Sequence, residues 1–168
     1  CAGSRCPWSL VKKTTDLPRY SMFPFFMAYS AALLENHGYE VDATDGSALN
    51  QTEEEFLDYC IQSNPDVVLL EPATTSINYV IELSTKLKKR ISSTIIFAGP
   101  HATVFAKELL DNNRHIAAIL LGEYEFTLLD YVLSLTGEKQ VQDIDGIAFR
   151  SDAEEFRFRA TVDVMASG

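Results

Sequence analysis

Three short stretches carry the residue types able to hold a ligand: Glu71-Pro72-Ala73-Thr74-Thr75-Ser76, Ala98-Gly99-Pro100-His101 and Gly122-Glu123-Tyr124-Glu125. In the first, hydroxyl groups converge with the free backbone N–H groups of a helix start, which suits a phosphate or an amide-rich ligand edge. Thr75 or Ser76 equally suits a plain helix cap. In the second, Gly99 lets backbone approach a ligand closely and Pro100 fixes the turn. His101 is there a ligand contact or a cap; zinc would want three or four ligands, and no cluster accompanies this histidine. In the third, Gly122 again permits close approach. The Glu123/Glu125 pair suggests acid–base chemistry, but acids in a first helical turn also complement the helix dipole, and that is their expected role.

Two weaker candidates are set beside these. Asp45-Gly46-Ser47 could meet a ribose hydroxyl, yet the chain has no Gly-x-Gly-x-x-Gly fingerprint, so a turn is expected. His37 next to Gly38 is expected to cap a helix end at the surface. There is no Gly-x-Ser-x-Gly elbow and no phosphate loop. No residue is assigned a catalytic role.

The elements that must position these loops follow from periodicity. An apolar strand precedes each one: Val67–Leu70, Thr94–Phe97 and residues 116–121. A helix follows each one. Ile77, Val80, Ile81, Ser84 and Leu87 share one face of the first helix, and Ala102, Phe105, Ala106 and Leu109 one face of the second. Leu128, Tyr131, Val132 and Leu135 line the third, which ends at Gly137. Upstream, Pro24 and Gly38 bracket a helix apolar nearly all round, as for a helix packed on a sheet. A strand is expected at 39–44. Thr52-Glu53-Glu54-Glu55 is a capping box opening a helix with Phe56, Leu57, Cys60 and Ile61 inward, stopped by Asn64-Pro65-Asp66. Near the end, 146–150 and 154–159 form a hairpin around Ser151-Asp152-Ala153, with Phe156 and Phe158 on one face and Arg157 and Arg159 on the other.

Repeated strand–helix units predict a doubly wound, flavodoxin-like (Rossmann-like) α/β fold. Its sheet is mostly parallel, with helices on both faces and a small C-terminal β-hairpin. Val67–Leu70, Thr94–Phe97 and 116–121 should be adjacent parallel strands. A parallel sheet gathers the loops after its strands on one rim, where ligands bind.

Composition sets the outer limits. The 168 residues are 46% hydrophobic and 23% charged, as in an ordinary globular domain. A net charge of −10 argues against binding nucleic acid through its phosphates. The one basic run, Lys86-Leu87-Lys88-Lys89-Arg90, fits the last turn of a helix. No apolar stretch approaches the ~20 residues that span a bilayer. Cys1, Cys6 and Cys60 are an odd number without metal-like spacing, so a reducing, cytoplasmic compartment is expected. No signal peptide is visible.

The strings Ala98-Gly99-Pro100-His101-Ala102-Thr103 and Gly122-Glu123-Tyr124-Glu125-Phe126-Thr127 resemble the two loop signatures of the amino-terminal cobalamin-binding domain of cobalamin-dependent radical S-adenosylmethionine (radical SAM) enzymes. There these junctions typically run Gly-Gly-Pro-His-Ala-Thr and Gly-Glu-Gly-Glu-x-Thr. The resemblance extends over about residues 24–150. Tyr124 replaces the family's second glycine, so close backbone approach is in doubt there; its ring would instead cover an apolar ligand. The resemblance implies cobalamin on the carboxyl edge of the sheet, held at Thr74, Thr75, Ser76, Gly99, Pro100, His101, Gly122, Glu123 and Tyr124. A Gly99→Val change is expected to block the ligand at little cost to the fold, provided that position does not need positive φ.

Neither the Cys-x-x-x-Cys-x-x-Cys motif of a four-iron cluster nor the Asp-x-His-x-x-Gly motif that ligates cobalt occurs. The [4Fe-4S] cluster and S-adenosylmethionine are therefore expected only in a radical SAM domain outside this chain, and no histidine here is expected on cobalt. The expected layout is an irregular segment at 1–23, a cobalamin-binding-like domain at 24–143, the hairpin at 144–160 and a connector to the radical SAM domain at 161–168. Family members begin with a central strand. It is expected to be truncated here rather than supplied by Trp8-Ser9-Leu10-Val11. Methyl transfer is the expected reaction of the whole enzyme. The alternative is a non-catalytic flavodoxin-like interaction module that binds no cobalamin.

Overall fold

The computed structural model describes residues 23–46, 48–151 and 156–159. The 1–22 segment with its candidate strand Trp8–Val11 lies outside the described residues, as do Ser47, most of the hairpin turn and the connector. Three parallel strands form the centre: β1 (Val67–Leu70), β2 (Thr94–Phe97) and β3 (Ile116–Leu120). The hairpin of β4 (Ile147–Arg150) and β5 (Phe156–Arg159) extends this sheet antiparallel beside β3, giving the order β1-β2-β3-β4-β5. The three adjacent parallel strands and the edge hairpin are as the sequence predicts.

Alternation along each strand divides the core between two faces. Val68, Leu70, Ile95, Phe97 and Ile119 pack on one side with α2 (Glu53–Ser63), α3 (Ile77–Lys88) and the pair α4 (Pro100–Val104) and α5 (Ala106–Asn112). Leu69, Ile96, Ala98, Ala118 and Leu120 pack on the other with α1 (Phe25–Asn36) and α6 (Glu125–Leu135). Ile116 and Ile119 share a face despite their odd spacing. The register steps from Ile95↔Ile116 to Ile96↔Ala118, a bulge that leaves Ala117 without an opposite residue.

Local chemistry sets the helix ends. Thr52 and Glu55 complete the capping box, the Glu55 carboxylate accepting from the Thr52 N–H at 2.7 Å. Asn64 ends α2 in a left-handed conformation, φ 42°. The basic run closes α3 and reaches α2, with Lys86 2.5 Å from Glu53 and Arg90 2.9 Å from Glu54.

Several expectations need correction. Residues 39–44 form no strand. A strand needs a ladder, and in a doubly wound order its neighbour would be the strand before α1; the described residues begin at Phe23. This run is instead tied to α2, where Asp42 accepts from the Ser63 hydroxyl at 2.8 Å and from Tyr59. The helix expected after β2 breaks at Phe105 (φ −107°, ψ 24°) into α4 and α5, leaving Phe105 exposed. Ile61 and Leu135 face solvent rather than the core. α1 buries only Met27, Ser30 and Leu34, while Phe23, Phe25, Phe26 and Tyr29 stay exposed.

Candidate functional site

Because β1, β2 and β3 run parallel, the loops that leave them meet on the carboxyl rim of the sheet. Side chains tie them together. His101 Nδ1 lies 3.2 Å from Thr74 Oγ1, joining the second loop to the first. The Thr103 hydroxyl donates to the Gly99 carbonyl at 2.9 Å and accepts from the Gly122 N–H at 3.0 Å, joining the second to the third. Beneath them, the Tyr124 hydroxyl donates to Glu71 Oε2 at 2.7 Å, joining the third to the first. The predicted loops thus share one rim.

The helix start after β1 resolves one alternative left open by sequence. Ser76 stands at the N-cap position but makes no side-chain cap. Its buried hydroxyl turns back to donate to the Ala73 carbonyl and accept from the Ala73 N–H, both at 3.2 Å. Thr74 and Thr75 are exposed above it. The start of α3, and likewise that of α6, therefore carries no capping side chain of its own.

His101 is likewise no cap. It lies inside α4, with its ring stacked on Phe105 at 4.7 Å between centroids. Pro100 is exposed at the first position of that helix. Glu123 is exposed, and Glu125 sits in the first turn of α6 as the dipole argument requires. His37 donates from Nδ1 to the Leu33 carbonyl at 2.8 Å, and Asp45 accepts from the Ala48 N–H at 3.1 Å; both serve as turn and cap groups, as expected.

Gly99 adopts φ 94°, ψ 176°, and a Cβ there would stand 2.6 Å from Glu71 Cγ. The proviso on Gly99→Val therefore fails, because this position does need positive φ and the fold itself would suffer. Gly122 has φ 62° with open space where a Cβ would point. Tyr124 is corrected more strongly. It is 1% exposed, one of the largest fully buried side chains, and belongs to the core beneath the rim, with the exposed Phe26 ring beside it. A ring so placed fills the rim from below instead of standing exposed above it.

A groove of about 570 Å³ opens beside the rim between α1 and α6, lined by Tyr29, Leu33, Phe126, Asp130 and Asp145 among others. Of the predicted residues it includes only Glu123. The three loops thus present a surface and not the wall of this groove. Sequence reasoning missed two residues that join the loops. Thr103 was in view as the last residue of Gly-Pro-His-Ala-Thr, four positions after Gly99 and thus within reach of its carbonyl. Glu71 was signalled by a carboxylate directly after a buried apolar strand.

The profile of the B12 binding domain family matches residues 15–132. The chain is 27% identical over 173 residues to a cytidylyl-2-hydroxyethylphosphonate methyltransferase of Streptomyces wedmorensis, covering 90% of this chain and 32% of that protein. Its fold is similar to the cobalamin-dependent S-adenosylmethionine radical enzyme OxsB, solved with aqua-cobalamin and S-adenosylmethionine (TM-score 0.76, 16% identity, 95% of this chain, 22% of that one). It is also similar to the radical S-adenosylmethionine methyltransferase TsrM of Kitasatospora setae, solved with cobalamin and a [4Fe-4S] cluster (TM-score 0.74, 14% identity, 96% of this chain, 28% of that one). The chain thus spans a third or less of the length of each of these relatives. With most of its length matched by the profile, this chain belongs to the B12 binding domain family.

Proposed function

We propose that this chain holds cobalamin on the carboxyl rim of its sheet, for a methyl-transfer reaction completed by a radical SAM domain. The observation that carries the reading is the rim itself: three loops bonded to one another, above helices whose starts carry no side-chain cap. The donor set fits the group. Cobalamin presents amides and one phosphate, which call for neutral hydroxyls, an imidazole and backbone N–H groups rather than clustered cations. Thr74, Thr75 and His101 supply the first two, and the starts of α3 and α6 supply the third. Gly99, Pro100, Gly122 and Glu123 shape the surface between them.

Bound, cobalamin supplies a redox-active cobalt centre; the residues of this chain bind and orient it. His101 is assigned to the ligand's periphery, since its Nδ1 is engaged with Thr74 and its ring with Phe105. Ser76 and Tyr124 act from below, as supports of the loops. Support for methyl transfer comes from the Streptomyces protein and TsrM, both methyltransferases, and the share of them that this chain spans leaves room for a domain carrying the cluster and S-adenosylmethionine. We place residues 24–143 as the binding unit, 144–160 as its edge hairpin and 161–168 as the connector, in a cytoplasmic protein whose Cys60 is a free, buried thiol.

One observation favours the rival reading of an interaction module without cofactor: Tyr124 fills from beneath a place where the resemblance has glycine. Mixing the purified chain with hydroxocobalamin and recording the visible spectrum after gel filtration separates the two. Corrin absorption co-eluting with the protein is the expected result; protein free of it would favour the rival.

A further inference from the structure

We infer that Glu71 is a positioning residue: a buried carboxylate that holds the second and third rim loops in register, through contact with Gly99 and a hydrogen bond from Tyr124. The inference rests on the reading that this rim is the ligand surface, and it concerns how the chain itself keeps that surface shaped.

The first step is energetic. Glu71 directly follows β1 and is only 5% exposed. A carboxylate taken out of water is costly unless hydrogen-bonded, so its partners matter more than those of a surface acid. One partner is Tyr124, 53 positions away in sequence, whose hydroxyl lies 2.7 Å from Oε2. Both ends of that bond are buried, which makes it stronger than one exposed to water. The links above it, His101 to Thr74 and Gly122 to Thr103, lie toward solvent and compete with water.

The second step is steric. The Gly99 backbone lies against the Glu71 side chain so closely that an added Cβ would be 2.6 Å from Cγ and 3.3 Å from Cδ and Oε1. The middle loop is therefore seated on the stem of the same side chain whose carboxylate holds the outer loop. Tyr124 in turn packs on Phe26 at 6.5 Å between ring centroids, which brings the start of α1 into the arrangement.

The third step is the difference between holding a fold and holding a register. Apolar residues of similar size would fill this volume, but packing is non-directional. A hydrogen bond between a phenol and a carboxylate has a preferred length and angle, so it fixes where the third loop stands relative to the first. Loops fixed before a ligand arrives lose less freedom when it binds. The bulky residue found where the resemblance has glycine is thus the far half of this latch.

The test compares Tyr124→Phe and Glu71→Leu, which remove the bond, with Glu71→Gln, whose amide oxygen still accepts the hydroxyl. Amide hydrogen exchange of the ligand-free chain is the first readout. Both bond-removing variants should speed exchange about tenfold at residues 99–103 and 122–125, while the amides of β1, β2 and β3 keep wild-type rates and Glu71→Gln stays near wild type. Unchanged loops in Tyr124→Phe, or faster exchange spread equally through the strands, would overturn the assignment. Hydroxocobalamin titration is the second readout: Tyr124→Phe should weaken binding about tenfold and Glu71→Gln much less. Loosened loops with unaltered affinity would also overturn it. A wild-type chain that takes up no hydroxocobalamin would sink the cobalamin reading, and the exchange data would still decide the latch.

Discussion

The two rims of the sheet are built differently. At the amino rim, several polar side chains end on the chain's own carbonyl groups. The Ser93 hydroxyl donates to the Pro65 carbonyl, and Lys88 Nζ to those of Ser92 and Ser93 at 3.1 and 2.8 Å. The Arg150 guanidinium donates to the carbonyls of Leu110, Arg114 and Ile116 at 2.6, 3.0 and 2.6 Å, clasping the hairpin to the end of α5. At the carboxyl rim, by contrast, α3 and α6 begin without side-chain caps and the Thr103 hydroxyl bridges from loop to loop. One rim uses its polar groups to close turns. The other uses them to hold an open surface in shape, which is what a binding edge requires.

The largest expected effect breaks the carboxyl rim at its tightest point. Gly99→Val forces a branched side chain into a conformation open almost only to glycine and drives its Cβ into Glu71. A loss of about 3 kcal/mol in urea unfolding is expected, combining backbone strain and overpacking. Gly122→Val, with positive φ but open space, should lose about 1 kcal/mol. Equal losses at the two glycines would show that the contact with Glu71 contributes nothing.

Arg150→Ala tests the other rim. Removing a guanidinium that serves three carbonyls should cost about 2 kcal/mol of stability. Hydroxocobalamin affinity should stay at the wild-type value, measured where wild type and variant are both fully folded. Weakened binding would mean that the division between a closing rim and a binding rim is false.

The smallest effect is a pH dependence, also at the amino rim. His115 Nε2 lies 2.8 Å from the Ser84 hydroxyl, and burial, followed by the nearby Arg150 and Lys88 cations, holds its pKa below the ordinary value of 6.5. The folded state thus binds this proton less readily than the unfolded chain does. Its contribution to stability is complete above pH 6.5 and is lost as pH falls through the lower folded value. Unfolding midpoints of wild type should therefore drop more steeply below pH 6.5 than those of His115→Gln, with the two parallel above it. Equal slopes throughout would refute the assignment.

How much of this was legible in the sequence depended on the range of the interactions. Val67–Leu70 and Thr94–Phe97 were plain because buried parallel strands are continuous apolar runs, and Thr52 to Glu55 because a capping box is local. The rim itself followed from parallel topology alone. What escaped needed partners distant in sequence. Residues 39–44 have strand-like composition but no ladder among the described residues, and Asp42 is held by α2 instead. The break at Phe105 interrupts a run whose periodicity favours one continuous helix. Tyr124 looked like a surface aromatic because it replaced a loop glycine; its bond to Glu71, 53 positions earlier, holds it inward. Whether Ser76 capped its helix was likewise undecidable without seeing its hydroxyl turn back to Ala73.

On the proposed reading the carboxyl rim, and not the amino rim, is the surface that meets cobalamin. Amide hydrogen exchange of the chain with and without hydroxocobalamin tests it most directly. Slowed exchange is expected at residues 74–77, 99–103 and 122–125, with no change at 92–94 and 113–116. Protection centred on the amino rim, or no protection at any of the three loops, would contradict it.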